Sequence, residues 1–570
     1  MTRIETEQPF LHRKSIRPIR TMSADKFASQ AQNVSSSNRN VSIQRLFRST
    51  VTSSDRPVIE QFVNDAQKEL KGCQTEIDKL RASLTSLEQK RDRLTKKLSQ
   101  YRSLLSPVHR MPPEILRNVF TMLNPPRLLP SYETLAVSAV CGRWRDVVLA
   151  MPSFWSYLRI DFADWNKKYN ALDRLVRLFM ERSQTSPLEL DLNFFKATND
   201  VARIPDVIPT LETLVRYSYR WHRVKLVNGH AQLLLHDVFN PIKGRLPLLS
   251  HLVVFGFAEG LTATFHCDLF NDCPALTSVT LQPVFPFDAD SSLPWAQIKS
   301  LVLLNGHSAP TFPMVSHCTN SNSLVLHWCG GDPYTGEHLV MPNVKEFYVV
   351  AAEDDDAYRP FQYLTLHNLS TLELSCREAP GQKVTWKNWE EQHITDFFIR
   401  SACTLTSLVL TYVPISDEEL IRLLRLMPNL TSLYVEEPPS PTPANRTLTT
   451  RFLEQLVIDH KDGSLSFLPK LTNIEFILRD DGLSDSVLPK MLTSRWIPDI
   501  DYATEIGVDS IKSIDIGFIS KSEDPINNLA SRVMWMRSMG VSIYIGRYDE
   551  DAEEEVENDD DGGSDEDTDD

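Results

Sequence analysis

Residues 405–430 read LTSLVLTYVPISDEELIRLLRLMPNL, which holds one strand, one helix and the entry to a second strand. Leu405 to Leu410 alternates apolar and polar positions as a half-buried strand does. Ser416 is followed three residues later by Glu419, the pattern of a capping box, in which side chains satisfy the free N–H groups of a helix start. Leu420, Leu423, Leu424 and Met427 then fall on one helical face. Pro428-Asn429-Leu430 closes the helix, because proline has no N–H to continue it, and opens the next strand.

The same phrase, an apolar residue, two spacers, an apolar, one spacer and another apolar, recurs along the chain. Its copies begin at Leu249, Leu276, Ile298, Val344, Leu369, Leu405, Leu430, Leu471 and Ile511, with weaker members at Val224/Leu226 and Leu324/Leu326. Pro247, Pro274, Pro342, Pro428 and Pro469 each stand two positions before a copy, where proline suits a strand entry. The array resembles a leucine-rich repeat with irregular insertions, although the repeat's Asn/Cys position is not regular here. That resemblance implies an α/β solenoid, with parallel strands lining one face and helices the other. It also implies substrate capture on the strand face, by residues such as Thr406, Ser407, Thr411, Thr431, Ser432 and Tyr434. An unrelated α/β fold would satisfy the spacing as well.

Upstream, from Ile59 to Leu105, apolar residues fall into heptads. Position a takes Val63, Leu70, Ile77, Leu84, Arg91, Leu98 and Leu105, and position d takes Ile59, Ala66, Cys73, Leu80, Leu87, Leu94 and Tyr101. This spacing predicts a coiled-coil helix, begun near Pro57 and ended by Pro107, able to form a homodimer. A single amphipathic helix folded back on the body is the alternative. Arg91 at an a position weakens the seam. Glu76 at g could meet Arg81 at e, whereas Lys97 faces Arg102.

Between coil and repeats, Ser106 to Leu158 predicts three short helices: one after Pro112-Pro113, with Glu114 in its first turn, a second around Leu135 to Val140, and a third through Trp144 and Val148. The segment resembles an F-box through Met111-Pro112-Pro113-Glu114-Ile115-Leu116, Val119-Phe120, Leu123, Val140-Cys141-Gly142-Arg143-Trp144-Arg145 and Phe154-Trp155. Met111 replaces the usual leucine, and the loop from Asn124 to Tyr132 is longer and richer in proline than the family pattern. The order coil, F-box, repeats resembles large F-box families of mushroom-forming fungi. The resemblance implies docking to the Skp adaptor of a Skp–cullin–F-box ubiquitin ligase through Met111, Pro112, Glu114, Ile115, Leu116, Phe120, Leu123, Val140, Cys141, Trp144, Arg145 and Trp155. A plain helical bundle with Trp144 and Trp155 as core is the other reading.

Composition narrows the rest. Of 75 acidic residues, 15 lie in Asp549–Asp570, leaving 60 acidic and 60 basic residues in a neutral body, so a nucleic-acid partner is not expected. No apolar run is long enough to span a membrane. Eight cysteines without close pairing point to a reducing cytoplasmic or nuclear setting. Glycine is scarce at 19 residues, and no phosphate-cradling, H-E-x-x-H, C-x-x-C or G-x-S-x-G pattern occurs, so neither catalytic residues nor a cofactor are expected. His266-Cys267 with Cys273, His317-Cys318 with His327 and Cys329, and the acidic run Glu353 to Asp356 have no standard metal-ligand spacing.

The expected organisation is a disordered basic tail over 1–57, a coiled-coil helix over 58–105, an F-box over 106–158, a repeat domain over 159–548 and a disordered acidic tail over 549–570. The expected role is non-catalytic: a ligase adaptor recruiting a protein target, or a non-degradative scaffold built on the same modules.

Overall fold

The computed structural model describes residues 47–48, 50–123, 132–165, 168–195, 204–257, 267–282, 293–304, 311–330, 336, 338–378, 383–438, 446–460, 466–479, 484–519 and 523–548. Most of the basic tail, the loop 124–131, His266 and the acidic run 549–570 lie outside these residues. The chain forms two compact units, Met1–Met111 and Pro112–Asp570.

Among the described residues the first unit carries one long helix, α1 (Arg56–Leu104), with Pro57 in its first turn, where a missing N–H costs nothing. A single 3-10 turn, Pro107–Arg110, follows. No residue of α1 is buried, so its apolar stripe is presented whole.

The second unit opens with three helices, α2 (Pro113–Leu123), α3 (Tyr132–Val140) and α4 (Gly142–Leu149). A parallel sheet of fourteen strands follows. Its first half is β1 (Tyr157–Asp161), β2 (Leu188–Asn193), β3 (Trp221–His230), β4 (His251–Phe257), β5 (Ser278–Leu281), β6 (Ser300–Leu304) and β7 (Ser323–His327). Beyond it, β8 (Leu339–Val340) pairs with β10 (Leu364–Thr365) in a separate two-stranded sheet. The large sheet continues through β9 (Glu346–Ala351), β11 (Thr371–Cys376), β12 (Ser407–Thr411), β13 (Ser432–Glu436), β14 (Asn473–Leu478), β15 (Ser513–Phe518) and β16 (Ser542–Arg547). The large sheet's strands lie in chain order, open at β1 and β16. The fold is α/β, with one large parallel sheet.

Register explains the repeated phrase. Leu158, Leu190, Val224, Leu252, Val279 and Leu301 oppose one another strand by strand, and the line continues through Leu408 and Leu433 to Ile543. Each is buried, as is nearly all of the parallel line two residues on, from Ile160 to Ile516. The first apolar of each phrase sits in the turn before its strand, also buried. The two weak copies are full strands whose leading position is taken by Trp221 and by Ser321, both buried. The boundary expected at 158 cuts β1: Trp155-x-x-Leu158-x-Ile160 is itself a copy, so the closing tryptophan of the helical segment leads the first strand. Strands β2 and β16, with Pro187 and Gly540 at the leading position, escape the phrase altogether.

The capping box at Ser416 forms as the spacing predicts, with Ser416 and Glu419 exchanging bonds at the start of the helix Asp417–Arg425. Hydroxyls just before the strands tie successive turns together: Thr406 Oγ1 donates to the Ser370 carbonyl at 3.1 Å, Thr431 to Thr406 at 2.9 Å, and Thr472 to Thr431 at 3.2 Å.

Buried arginines pin the connections behind the sheet. Arg495, fully buried, donates to the carbonyls of Leu456 (2.6 Å), Phe467 (2.6 Å) and Leu468 (3.0 Å). Burial lowers its pKa to about 10, so it stays charged at neutral pH. Arg220 similarly reaches Met180, Ser183 and Ser186, and Arg400 reaches Phe361, Leu364 and Thr365. Arg495→Met should lower stability by about 3 kcal/mol, because the Leu456 and Phe467 carbonyls lose the Arg495 donors and the Leu468 carbonyl keeps only the Leu471 N–H. Arg495→Lys should restore little, since an ammonium lacks the planar fork. Urea denaturation followed by tryptophan fluorescence measures both.

Candidate functional site

The helices α2, α3 and α4 build the first candidate surface. On α2, Leu116 (1% exposed) and Phe120 (0%) point inward at i, i+4 spacing, while Ile115 (46%), Val119 (37%) and Met122 (81%) form a neighbouring stripe that faces outward. Phe120 meets the Trp144 ring edge-on at 4.9 Å and lies 6.4 Å from Phe154. From α3, Thr134 is buried and donates to the Phe154 carbonyl at 3.4 Å. Cys141 is the N-cap of α4, its Sγ accepting the Trp144 N–H at 3.5 Å, a role its position between helices makes intelligible afterwards. Trp155 is wholly buried; its Nε1 donates to the Val148 carbonyl at 3.0 Å, its ring meets Phe179 edge-on at 5.2 Å, and the Arg182 guanidinium lies 4.4 Å from its centre.

The residues expected to dock a partner therefore divide. Pro112, Glu114, Ile115, Val140 and Arg145 are exposed, and Met111, Cys141 and Trp144 are half-buried. Leu116, Phe120 and Trp155 are core: three short helices have little interior, and their largest apolar groups fill it. Leu123 ends α2, its side chain outside the described residues. Val119 and Met122 are the outward residues that sequence reasoning left off the surface, although their i, i+4 and i+7 relation to Ile115 marks them.

The strand face of the sheet is the second candidate. Its central line reads Arg159, Asp191, Lys225, Val253, Thr280, Val302, Val325, Tyr348, Glu373, Val409, Tyr434, Glu475, Asp515, Tyr544 across successive strands. Charge is paired at the β1 end, where Lys225 lies 4.0 Å from Asp191 and Arg223 lies 3.9 Å from Glu189. The middle is three valines and Thr280, and from Tyr348 onward the line is mostly tyrosines and carboxylates. Burial raises the pKa values of Glu373 and Asp515, against an opposing pull from Arg377 on Glu373. Of the expected reading residues, Thr411 is buried and Thr406 and Thr431 are turn struts, which leaves Ser407, Ser432 and Tyr434 on the face.

On α1, the predicted coil residues Leu70, Ile77, Leu80, Leu84, Leu87, Leu94 and Leu98 are all exposed. Elsewhere the cysteine and acidic runs are structural. Cys267, Cys273, Cys318 and Cys329 are buried, and burial raises the thiol pKa to about 11 at Cys267 and about 12 at Cys273 and Cys318. Asp356 is buried and accepts the N–H groups of Gly330 (2.6 Å) and Ala352 (3.2 Å), while Asp354 and Asp355 occupy the first turn of the helix Asp354–Tyr363. Among the described residues, no group of three His, Cys, Asp or Glu side chains is placed to hold a metal, and no helix is long and apolar enough to cross a membrane.

No protein-family model matches the chain, and no curated protein is close enough in sequence to count as a relative.

Two measurements separate surface from core. Ile115→Asp should change unfolding free energy by no more than about 0.5 kcal/mol, whereas Phe120→Ala should cost about 3–5 kcal/mol. For Glu373, a raised native pKa means the native state holds its proton more tightly than the unfolded chain does. Stability should therefore fall as pH rises from the ordinary glutamate range through the native value. Urea midpoints across mildly acidic pH should show Glu373→Gln with a flatter profile than the wild type.

Proposed function

We propose that this chain is the substrate-recognition subunit of a Skp–cullin–F-box ubiquitin ligase, non-catalytic itself. The observation that carries the reading is the outward stripe Ile115, Val119 and Met122 on α2, backed by Leu116 and Phe120, within a segment whose residue order is that of an F-box. An apolar stripe held rigid from behind is what helix-in-groove docking uses. Here α2 would lay that stripe in the Skp adaptor's groove, with Pro112 and Glu114 at its start and Val140 to Arg145 on the rim.

In this reading the sheet is a leucine-rich-repeat-like solenoid, and its strand face holds a protein target while the cullin core delivers ubiquitin. The chain would accelerate transfer by proximity alone, holding target and ubiquitin carrier within reach of one another. It would work in the cytoplasm or nucleus. A non-degradative scaffold uses the same surfaces and differs in lacking cullin in its complexes.

A pull-down with purified Skp adaptor tests the docking face. Wild-type chain should bind, and an Ile115→Asp, Met122→Asp double variant, folded by circular dichroism, should bind at least about tenfold more weakly. Equal binding by the two removes α2 from the interface. No binding by the folded wild type removes the adaptor reading.

A further inference from the structure

The helix α1 presents an apolar seam, interrupted by Arg91, with no residue buried along it, and its flanking positions say what covers it. Read in order, the g positions of the heptads are Phe62, Glu69, Glu76, Ser83, Lys90, Lys97 and Leu104. The series is complementary to its own reversal about Ser83: Phe62 matches Leu104, Glu69 matches Lys97, and Glu76 matches Lys90. In an antiparallel pair of helices, g faces g and a packs against d, whereas in a parallel pair g faces e.

We propose that α1 pairs with a second copy of itself running in the opposite direction, with the two-fold axis level with Ala82. This register is the one in which every a position meets a d position. Leu70 packs on Leu94, Ile77 on Leu87, and Leu84 on Leu80 of the second copy. The two awkward layers are resolved as well. Arg91 lies across from the small Cys73, leaving its stem on the seam and its guanidinium with Asp92 of its own chain, 2.9 Å away. The small Ala66 sits opposite the large Leu98. At the flanks, Glu69 meets Lys97, Glu76 meets Lys90, and Glu60 at e meets Arg102, each twice by symmetry. The one like-charge contact at e and g is Arg81 with itself at the axis, where Asp78 of the same chain lies 3.7 Å away.

A parallel pair fails on the same residues. It sets Arg91 beside Arg91 in the seam and Ala66 beside Ala66, and it faces Lys97 with Arg102. Its favourable charge contact is Glu76 with Arg81. The antiparallel pairing does not depend on the ligase reading. Because α1 spans 49 residues, about 70 Å at 1.5 Å per residue, the two chains leave the pair at opposite ends, separated by roughly that length.

The test uses the full chain. Light scattering on a size-exclusion column should give twice the 65.1 kDa chain mass; a monomer at micromolar concentration or a higher oligomer overturns the proposal. Orientation is read from an Arg91→Cys variant, oxidised mildly and mapped by mass spectrometry. A disulfide between the introduced thiol and Cys73 of the second copy is expected, and a Cys73-to-Cys73 link overturns the proposal. Charge variants give an independent reading that disturbs no core position. A Glu69→Lys, Glu76→Lys variant and a Lys90→Glu, Lys97→Glu variant should each self-associate at least about tenfold more weakly than the wild type, and mixing the two should restore the pair. In a parallel pair, the glutamate variant would self-associate more tightly, because its new carboxylates at 97 would face Arg102, and that outcome also overturns the proposal.

Discussion

A parallel strand can neither satisfy its own backbone nor cover its apolar side, so each strand of the large sheet depends on the strand before it and the strand after it. The two buried lines of side chains, one through Leu158, Leu252 and Leu408 and the other through Ile160, Val254 and Leu410, are the physical expression of that dependence. Each strand adds two apolar groups to a stack already present, and most add a third from the residue that leads into the strand. Shifting any strand by one residue would turn both groups onto the solvent face. The helices that carry the candidate docking stripe are attached to this stack through Trp155, which leads into the first strand.

This arrangement tolerates uneven connections. The segments between strands vary widely in length, yet the entry to most strands is held by the same contacts: a buried leading residue, a backbone bond to the preceding turn, and in several cases a serine or threonine hydroxyl on that turn's carbonyl. The entropy of closing a longer connection rises only slowly with its length, so a fixed entry point matters more than a fixed spacing. The buried arginines do related work behind the sheet. Arg220, Arg400 and Arg495 each reach carbonyls that irregular turns and helix ends leave without partners, and their rigid fork serves two or three at once.

Much of this was legible from residue spacing. The phrase beginning at Leu405 gave strand, cap and helix correctly, because each signal is local: alternation, a Ser/Glu pair three apart, and a proline. The strands that escaped, and the two that showed only as weak copies, lack the leading aliphatic residue. Tryptophan takes that place before β1 and β3, a serine bonded to the Ile298 carbonyl takes it before β7, and proline or glycine takes it before β2 and β16. The division of the three-helix segment into inward and outward residues was half legible. A motif marks which residues matter, but which of them face inward depends on the neighbouring helices, and the largest apolar side chains were drawn into the interior. The seam of α1 could be read as a stripe, while the direction of its partner lay in the order of charges beside it.

One feature of the sheet bears on how the protein behaves at high concentration. Strand β16 pairs only with β15 among the described residues, which makes it an edge of the sheet as described. Such a margin is a template for stacking molecule upon molecule into fibres. In this sequence the strand ends at Arg547, and from Asp549 the chain carries 15 carboxylates with no lysine or arginine among them. Two molecules pairing at this strand would bring two such runs toward one another, and their like charge would oppose the pairing. Colloidal solubility would then be a property of the tail, and it would weaken as salt rises.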